Sequence, residues 1–149
     1  RGIEADVVPY CRNNGIATIT YGALCRGLLS GRMNANREFP GDDLRNNDPK
    51  FQGERFQQYL NAVAALDRLA RERYGHTVLE LALRWLIDQD VVTTALWGAR
   101  HPEQLDPVTN IQGWNLDTEA YTEIDDILTR EITDPVGPEF MAPPARNRG

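Results

Sequence analysis

The sequence predicts an α/β fold with parallel strands. Three observations carry that reading. Two short β-branched segments, Ala17-Thr18-Ile19-Thr20-Tyr21 and Thr93-Thr94-Ala95-Leu96-Trp97, are each closed by a glycine, Gly22 and Gly98. Amphipathic helical patterns lie before, between and after them. The order is helix, strand, long loop, two helices, strand, short helix, helix and tail, and such alternation favours parallel pairing. About five helices accompany only two strands. Two parallel strands cannot hide both faces from water, so partner strands must come from elsewhere or the pair belongs to a larger sheet.

Each element has a local cause. In residues 3–14, Ile3, Val7, Tyr10 and Cys11 share a helical face, and Gly15 supplies a left-handed stop. Pro9 conflicts with a helix running through it, so the first turn should be irregular. Residues 22–50 carry four glycines, several asparagines and two prolines with little periodicity, which reads as a long functional loop holding one buried turn at Leu28-Leu29. From Phe51 to Arg73 the residues Phe56, Leu60, Val63, Leu66 and Ala70 form an apolar stripe, and Gly75 ends the helix. Thr77 and Glu80 then form a T-x-x-E capping box for a largely buried helix that breaks at Asp88-Gln89-Asp90. A short helix starts at Pro102. Asp117 caps the last helix, with Leu116 and Tyr121 spaced as a hydrophobic staple. Residues 1–132 thus read as one structural unit. Residues 133–149, with Pro135, Pro138, Pro143 and Pro144, read as an irregular tail that drapes over the rest or stays disordered.

Composition narrows the function. Sixteen basic and 22 acidic side chains leave a net charge of −6 without a basic cluster, which disfavours nucleic acid and anionic membrane as partners. No apolar run reaches the ~20 residues of a membrane helix. There is no signal-peptide pattern, and the chain opens on Arg1-Gly2-Ile3 without an initiator Met, which suggests a fragment. Cys11 and Cys25 sit in apolar surroundings without CxxC spacing, so both are expected reduced, as in the cytoplasm, and no metal site is expected. His76 and His101 each stand beside a turn with no ligand-spaced partner. Acidic pairs such as Asp42-Asp43 read as solvated faces. No nucleophile elbow, P-loop or H-E-x-x-H motif occurs.

The two strand ends carry the chemistry. The first continues Tyr21-Gly22-Ala23-Leu24-Cys25-Arg26-Gly27-Leu28-Leu29-Ser30-Gly31-Arg32, and the second Trp97-Gly98-Ala99-Arg100-His101-Pro102-Glu103-Gln104. Small residues let backbone amides approach an anion, arginines pair with phosphate, and a helix start follows the second glycine. Parallel α/β folds bind ligands at strand C-terminal ends. Glycines after strands also simply make turns.

These segments resemble the aldo-keto reductase superfamily. Residues 21–31 look like the stretch after its seventh barrel strand. Trp97-Gly98-Ala99-Arg100 with Pro102-Glu103-Gln104-Leu105 looks like strand eight and the adenosine-phosphate loop. Glu80-Leu81-Ala82-Leu83-Arg84-Trp85-Leu86 is similar to the seventh barrel helix, and Trp114-Asn115-Leu116 to the approach to the last helix. The likeness spans about residues 4–130.

The resemblance implies the C-terminal part of a (β/α)₈ TIM barrel, incomplete in this chain, that reduces an aldehyde or ketone by hydride transfer from NADPH, with NADH possible. Tyr21 would stack on the nicotinamide. Gly22, Leu24 and Arg26 match positions at the pyrophosphate, and Gly98, Ala99, Arg100 and Gln104 match positions around the adenosine and its 2′-phosphate, for which a guanidinium is well suited. Residues 22–50 match the loop over the cofactor, and the tail a wall of the substrate pocket. Where the family has a Glu-Asn pair near the adenine, this chain has Pro107 and Val108, which lack those hydrogen bonds. The family's catalytic acid and its supporting residues lie on strands this chain lacks, since such a barrel takes about 250 residues. No catalytic residue is therefore assigned. The isolated chain is expected to be inactive, because loss of a general acid alone costs roughly 10²–10⁴-fold. The alternative is a truncated-barrel binding or regulatory module that associates with itself or a partner chain through exposed strands.

Overall fold

In a computed structural model, which describes residues 2–137, the two extended segments pair side by side and in the same direction. Strand β1, Thr18–Thr20, lies against β2, Val92–Ala95, with Thr18 opposite Val92, Ile19 opposite Thr94 and Thr20 opposite Ala95. The pairing carries one irregularity, between Thr18 and Ile19. Both strands are shorter than the sequence segments suggest. The ladder continues through the Leu96 N–H to the Thr20 carbonyl at 2.7 Å, and Gly22, at φ 73°, then turns the first chain away.

The helices follow the sequence signals with two informative differences. Helix α1 spans Val7–Asn13 and is preceded by a separate 3-10 turn, Gly2–Glu4. Asp6 caps α1 by accepting the Val7 N–H at 2.6 Å. Pro9 is then the third helical residue, where an N–H has no intrahelical acceptor in any case, so it fits without a kink. The expected irregularity is a break before Val7. The other difference is one of kind: the short helix expected from Pro102 is a 3-10 helix, Pro102–Ile111. Pro107 inside it has no N–H to donate back along an α-helical ladder.

Helix α2, Gly53–Tyr74, ends at Gly75 in the left-handed conformation. Helix α3, Val78–Ile87, begins with the expected capping box: Glu80 Oε2 accepts the Thr77 N–H at 2.7 Å, and Thr77 Oγ1 accepts the Glu80 N–H at 3.4 Å. Helix α4, Thr118–Glu131, is capped by Asp117, which accepts the Ala120 N–H at 2.8 Å. The core lies where these three helices meet. Phe56, Leu66, Leu69, Val78, Leu81, Ile124 and Ile127 are buried there together with Leu28 from the long connection. Leu116 and Tyr121 join the same cluster, as the staple requires. That connection is less irregular than its composition suggests. It holds 3-10 turns within Cys25–Ser30, which is kinked at Arg26 and Gly27, and two short 3-10 helices, Leu44–Asn47 and Pro49–Phe51.

One side of the sheet is bare. Ile19 and Tyr21 are two-thirds or more exposed, Leu96 is half exposed, and α1 buries Cys11 alone while Ile3, Val7 and Tyr10 stay exposed. Among the described residues the two parallel strands have no third, which leaves such a face, as the sequence reading anticipates. The beginning of the tail does drape. Arg55 pairs with Asp134, Gln58 Oε1 accepts the Thr133 N–H at 3.1 Å, and Tyr59 Oη accepts the Val136 N–H at 3.0 Å, all from α2. Residues 138–149, with the remaining prolines of the tail, lie outside the described residues.

Candidate functional site

The parallel pairing brings the two glycine-rich strand ends to the same edge of the sheet. Tyr21 follows Thr20 directly beside Leu96. Behind this edge a small apolar cluster ties the two segments together. Ala23 is buried against Leu83 of α3 and Ile111, and Leu24 and Trp97 pack on the same group. The segments that follow β1 and β2 therefore share one backing.

The turn after β1 closes through the Cys25 N–H to the Gly22 carbonyl at 2.8 Å. Cys25, Arg26 and Gly27 then have φ values of 48°, 56° and 86°. Left-handed backbone is ordinary for glycine and costly for residues with a Cβ. Gly22 is exposed, and a Cβ placed on it would meet nothing within 4 Å. Tyr21 stands out from the edge at 76% exposure. Burial pushes the Cys25 thiol up, which keeps it protonated and inert. Arg26 points away from the edge, into the connection. Its Nη1 donates to Asp48 Oδ2 at 3.1 Å and to the Leu44 carbonyl at 3.2 Å.

The turn after β2 is held by an amide side chain. Gln104 Oε1 accepts the Arg100 N–H at 2.7 Å and the His101 N–H at 3.4 Å. Gln104, which the resemblance places near the adenosine, thus shapes the loop that carries Arg100. Gly98, Ala99 and Arg100 are exposed, and Gly98 also faces open space. The Arg100 guanidinium makes no hydrogen bond or ion pair with another described residue. It does lie within electrostatic reach of Asp43. Hydrogen bonds from Arg45 hold the Asp43 carboxyl below the usual carboxylate range, and Arg100 adds to that pull. The long connection is thus placed near both strand ends.

Other titratable groups have structural work. Burial pushes the Glu80 carboxyl up, but hydrogen bonds from Thr77 and Asn110 outweigh it and leave Glu80 below its ordinary range. His76 stacks on Trp114 at 4.2 Å and sits 3.4 Å from Glu80. Among the described residues no group of three His, Cys, Asp or Glu could hold a metal ion, and no helix is long and apolar enough to cross a membrane. A concavity of about 830 Å³ is lined by α2 and α4 and includes none of the strand-end residues. What the sequence reading missed is Asp48. Its signal was Asp-Pro ahead of a short helix: Asp48 caps the Pro49–Phe51 turn by accepting the Lys50 N–H.

Two parallel strands whose C-terminal turns share an edge, backed by helices, define a sector of an α/β barrel. The chain belongs to the aldo/keto reductase family: the model of that family, "Aldo/keto reductase family", matches residues 1–129. It is 55% identical over 146 residues to the aldo-keto reductase YhdN of Bacillus subtilis, covering 98% of this chain and 44% of that protein. It is 31% identical over 134 residues to the NADH-specific methylglyoxal reductase of Escherichia coli, covering 90% of this chain and 39% of that protein. Among solved structures it resembles a glycerol dehydrogenase from Gluconobacter oxydans with a TM-score of 0.85 and 48% identity, over 95% of this chain and 43% of that one. The chain therefore spans less than half the length of these relatives. The fold is α/β, a partial TIM barrel.

Proposed function

We propose that this chain supplies the dinucleotide-binding half of an NADPH-dependent carbonyl reductase. The observation that carries the reading is the meeting of two open, glycine-bearing turns at one sheet edge, with an uncommitted guanidinium beside them. Residues 1–132 form the barrel portion, and 133–149 the tail beside the substrate pocket. The residues fit the group. Exposed backbone at Gly22 and Gly98 admits a close approach, Arg100 offers a fork of donors to a 2′-phosphate, and a helix start follows at Pro102. The dinucleotide, when bound, supplies the hydride for an aldehyde or ketone.

The chain's own residues bind and orient. Tyr21 offers an exposed ring on which a nicotinamide can stack. Gly22, Leu24 and Arg26 belong to the turn beside the diphosphate, and Ala99 and Gln104 set the course of the loop bearing Arg100. The proton donor lies outside this chain, so the 149 residues alone have no turnover. The bare side of β1 also fits association with a partner chain or a second copy. The cytoplasm is the compartment that two free cysteines suit.

The test is cofactor discrimination. Arg100→Ala weakens NADPH binding by roughly tenfold or more, the value of a charge-assisted hydrogen bond, and leaves NADH nearly unchanged. Titration calorimetry with both cofactors reads the difference. Equal losses reject Arg100 as the 2′-phosphate partner.

A further inference from the structure

Asp48 has no exposed surface, and its carboxylate is fully engaged. Oδ1 accepts the Lys50 N–H at 3.0 Å and faces Lys50 Nζ at 2.9 Å, while Oδ2 accepts from Arg26 Nη1 at 3.1 Å. A buried carboxylate with two cations and a backbone donor is a rigid anchor, because releasing either cation strands charge away from water. The anchor reaches across 22 positions of the chain to Arg26. Arg26 is the middle residue of the left-handed run Cys25-Arg26-Gly27. Two adjacent side-chain-bearing residues in that conformation persist only where their surroundings over-determine them, and such strain gathers at ligand-binding turns. This run begins two residues beyond Ala23, which is packed into the backing of the strand-end edge.

We propose that Asp48 is a positioning residue for nucleotide binding: through Arg26 it holds the Cys25–Gly27 turn in the shape that receives the diphosphate. The role rests on the nucleotide reading above and deepens it. Arg26 then acts by fixing its own backbone, with its guanidinium turned inward to Asp48 instead of outward to phosphate. Lys50 completes the anchor from the other side.

The experiment is titration calorimetry on the 149-residue chain with NADPH, NADH and adenosine 2′,5′-bisphosphate, which lacks the diphosphate bridge. Asp48→Asn weakens both dinucleotides about tenfold. It leaves the bisphosphate within about twofold, the usual limit of independence between separated groups. Arg26→Gln reproduces that pattern, Arg26→Lys restores most of the affinity, and adding Asp48→Asn to Arg26→Gln costs nothing further. Equal losses for all three ligands, which a general loosening gives, overturn the proposal, and so do additive losses in the double variant. Should Asp48→Asn not fold, the Arg26→Gln and Arg26→Lys pair decides: loss without recovery by lysine overturns it. Undiminished dinucleotide binding in the variants overturns the role of Asp48 alone. No binding of either dinucleotide by the unaltered chain overturns the nucleotide reading, and this role with it.

Discussion

Replacing Asp88 with alanine lowers the unfolding free energy by about 3 kcal/mol, the usual cost of removing one partner from a buried ion pair. Asp88 is the residue just past α3, and its side chain is 12% exposed. Its Oδ1 lies 2.6 Å from Arg84 Nη2, and its Oδ2 accepts the Leu116 N–H at 3.0 Å. Arg84, itself 13% exposed, also donates to the Ile111 carbonyl at 3.1 Å. The pair therefore joins the end of α3 to both boundaries of the approach to α4. Without the carboxylate, a largely buried guanidinium loses its ion-pair partner and a backbone amide loses its acceptor. Urea unfolding followed by circular dichroism measures the change. A loss under about 0.5 kcal/mol, typical of an exposed pair, would show that water reaches the site freely.

Leu81→Ala destabilises the fold by a comparable amount, about 3 kcal/mol from the lost transfer energy and the cavity left behind. Leu81 is 2% exposed and belongs to the core cluster that gathers α2, α3, α4 and Leu28. Leu28 lies in the connection that follows the strand-end edge, so this cavity also loosens the segment bearing Cys25 and Arg26. Leu96→Ala is the contrasting substitution. Leu96 is 51% exposed, and its loss should stay within about 0.5 kcal/mol. Equal midpoint shifts for the two leucines would contradict the division between a packed helical side and a bare strand side.

Much of this architecture is legible in the residue order. Glycine and β-branched residues mark both strands, the T-x-x-E pattern marks the start of α3, and Gly75 marks the end of α2, because each signal is local and acts through backbone geometry. The placement of Tyr21 beside Leu96 follows from parallel pairing alone. Long-range polar partners are not legible in this way. Asp88 reads as a helix breaker, and its i,i+4 spacing from Arg84 is a local signal, but nothing nearby in sequence announces Leu116 as its amide donor. Asp48 announces its cap through Asp-Pro but not its pairing with Arg26, which comes from 22 positions away. Arg26 itself looks like a phosphate ligand beside small residues, whereas its guanidinium turns to a carboxylate. The apolar face expected for α1 is present in the pattern but uncovered in space, since periodicity shows which side is apolar and not what packs on it.

The account's central claim is that the turns after β1 and β2 grip one nucleotide together. Amide chemical-shift mapping during a titration with NADPH tests this most directly. The expected result is that resonances of residues 21–27 and 98–104 move together along one saturation curve, while those of α4 stay in place. Movement confined to one of the two turns, separate curves for each, or shifts centred on the concavity between α2 and α4 would contradict it.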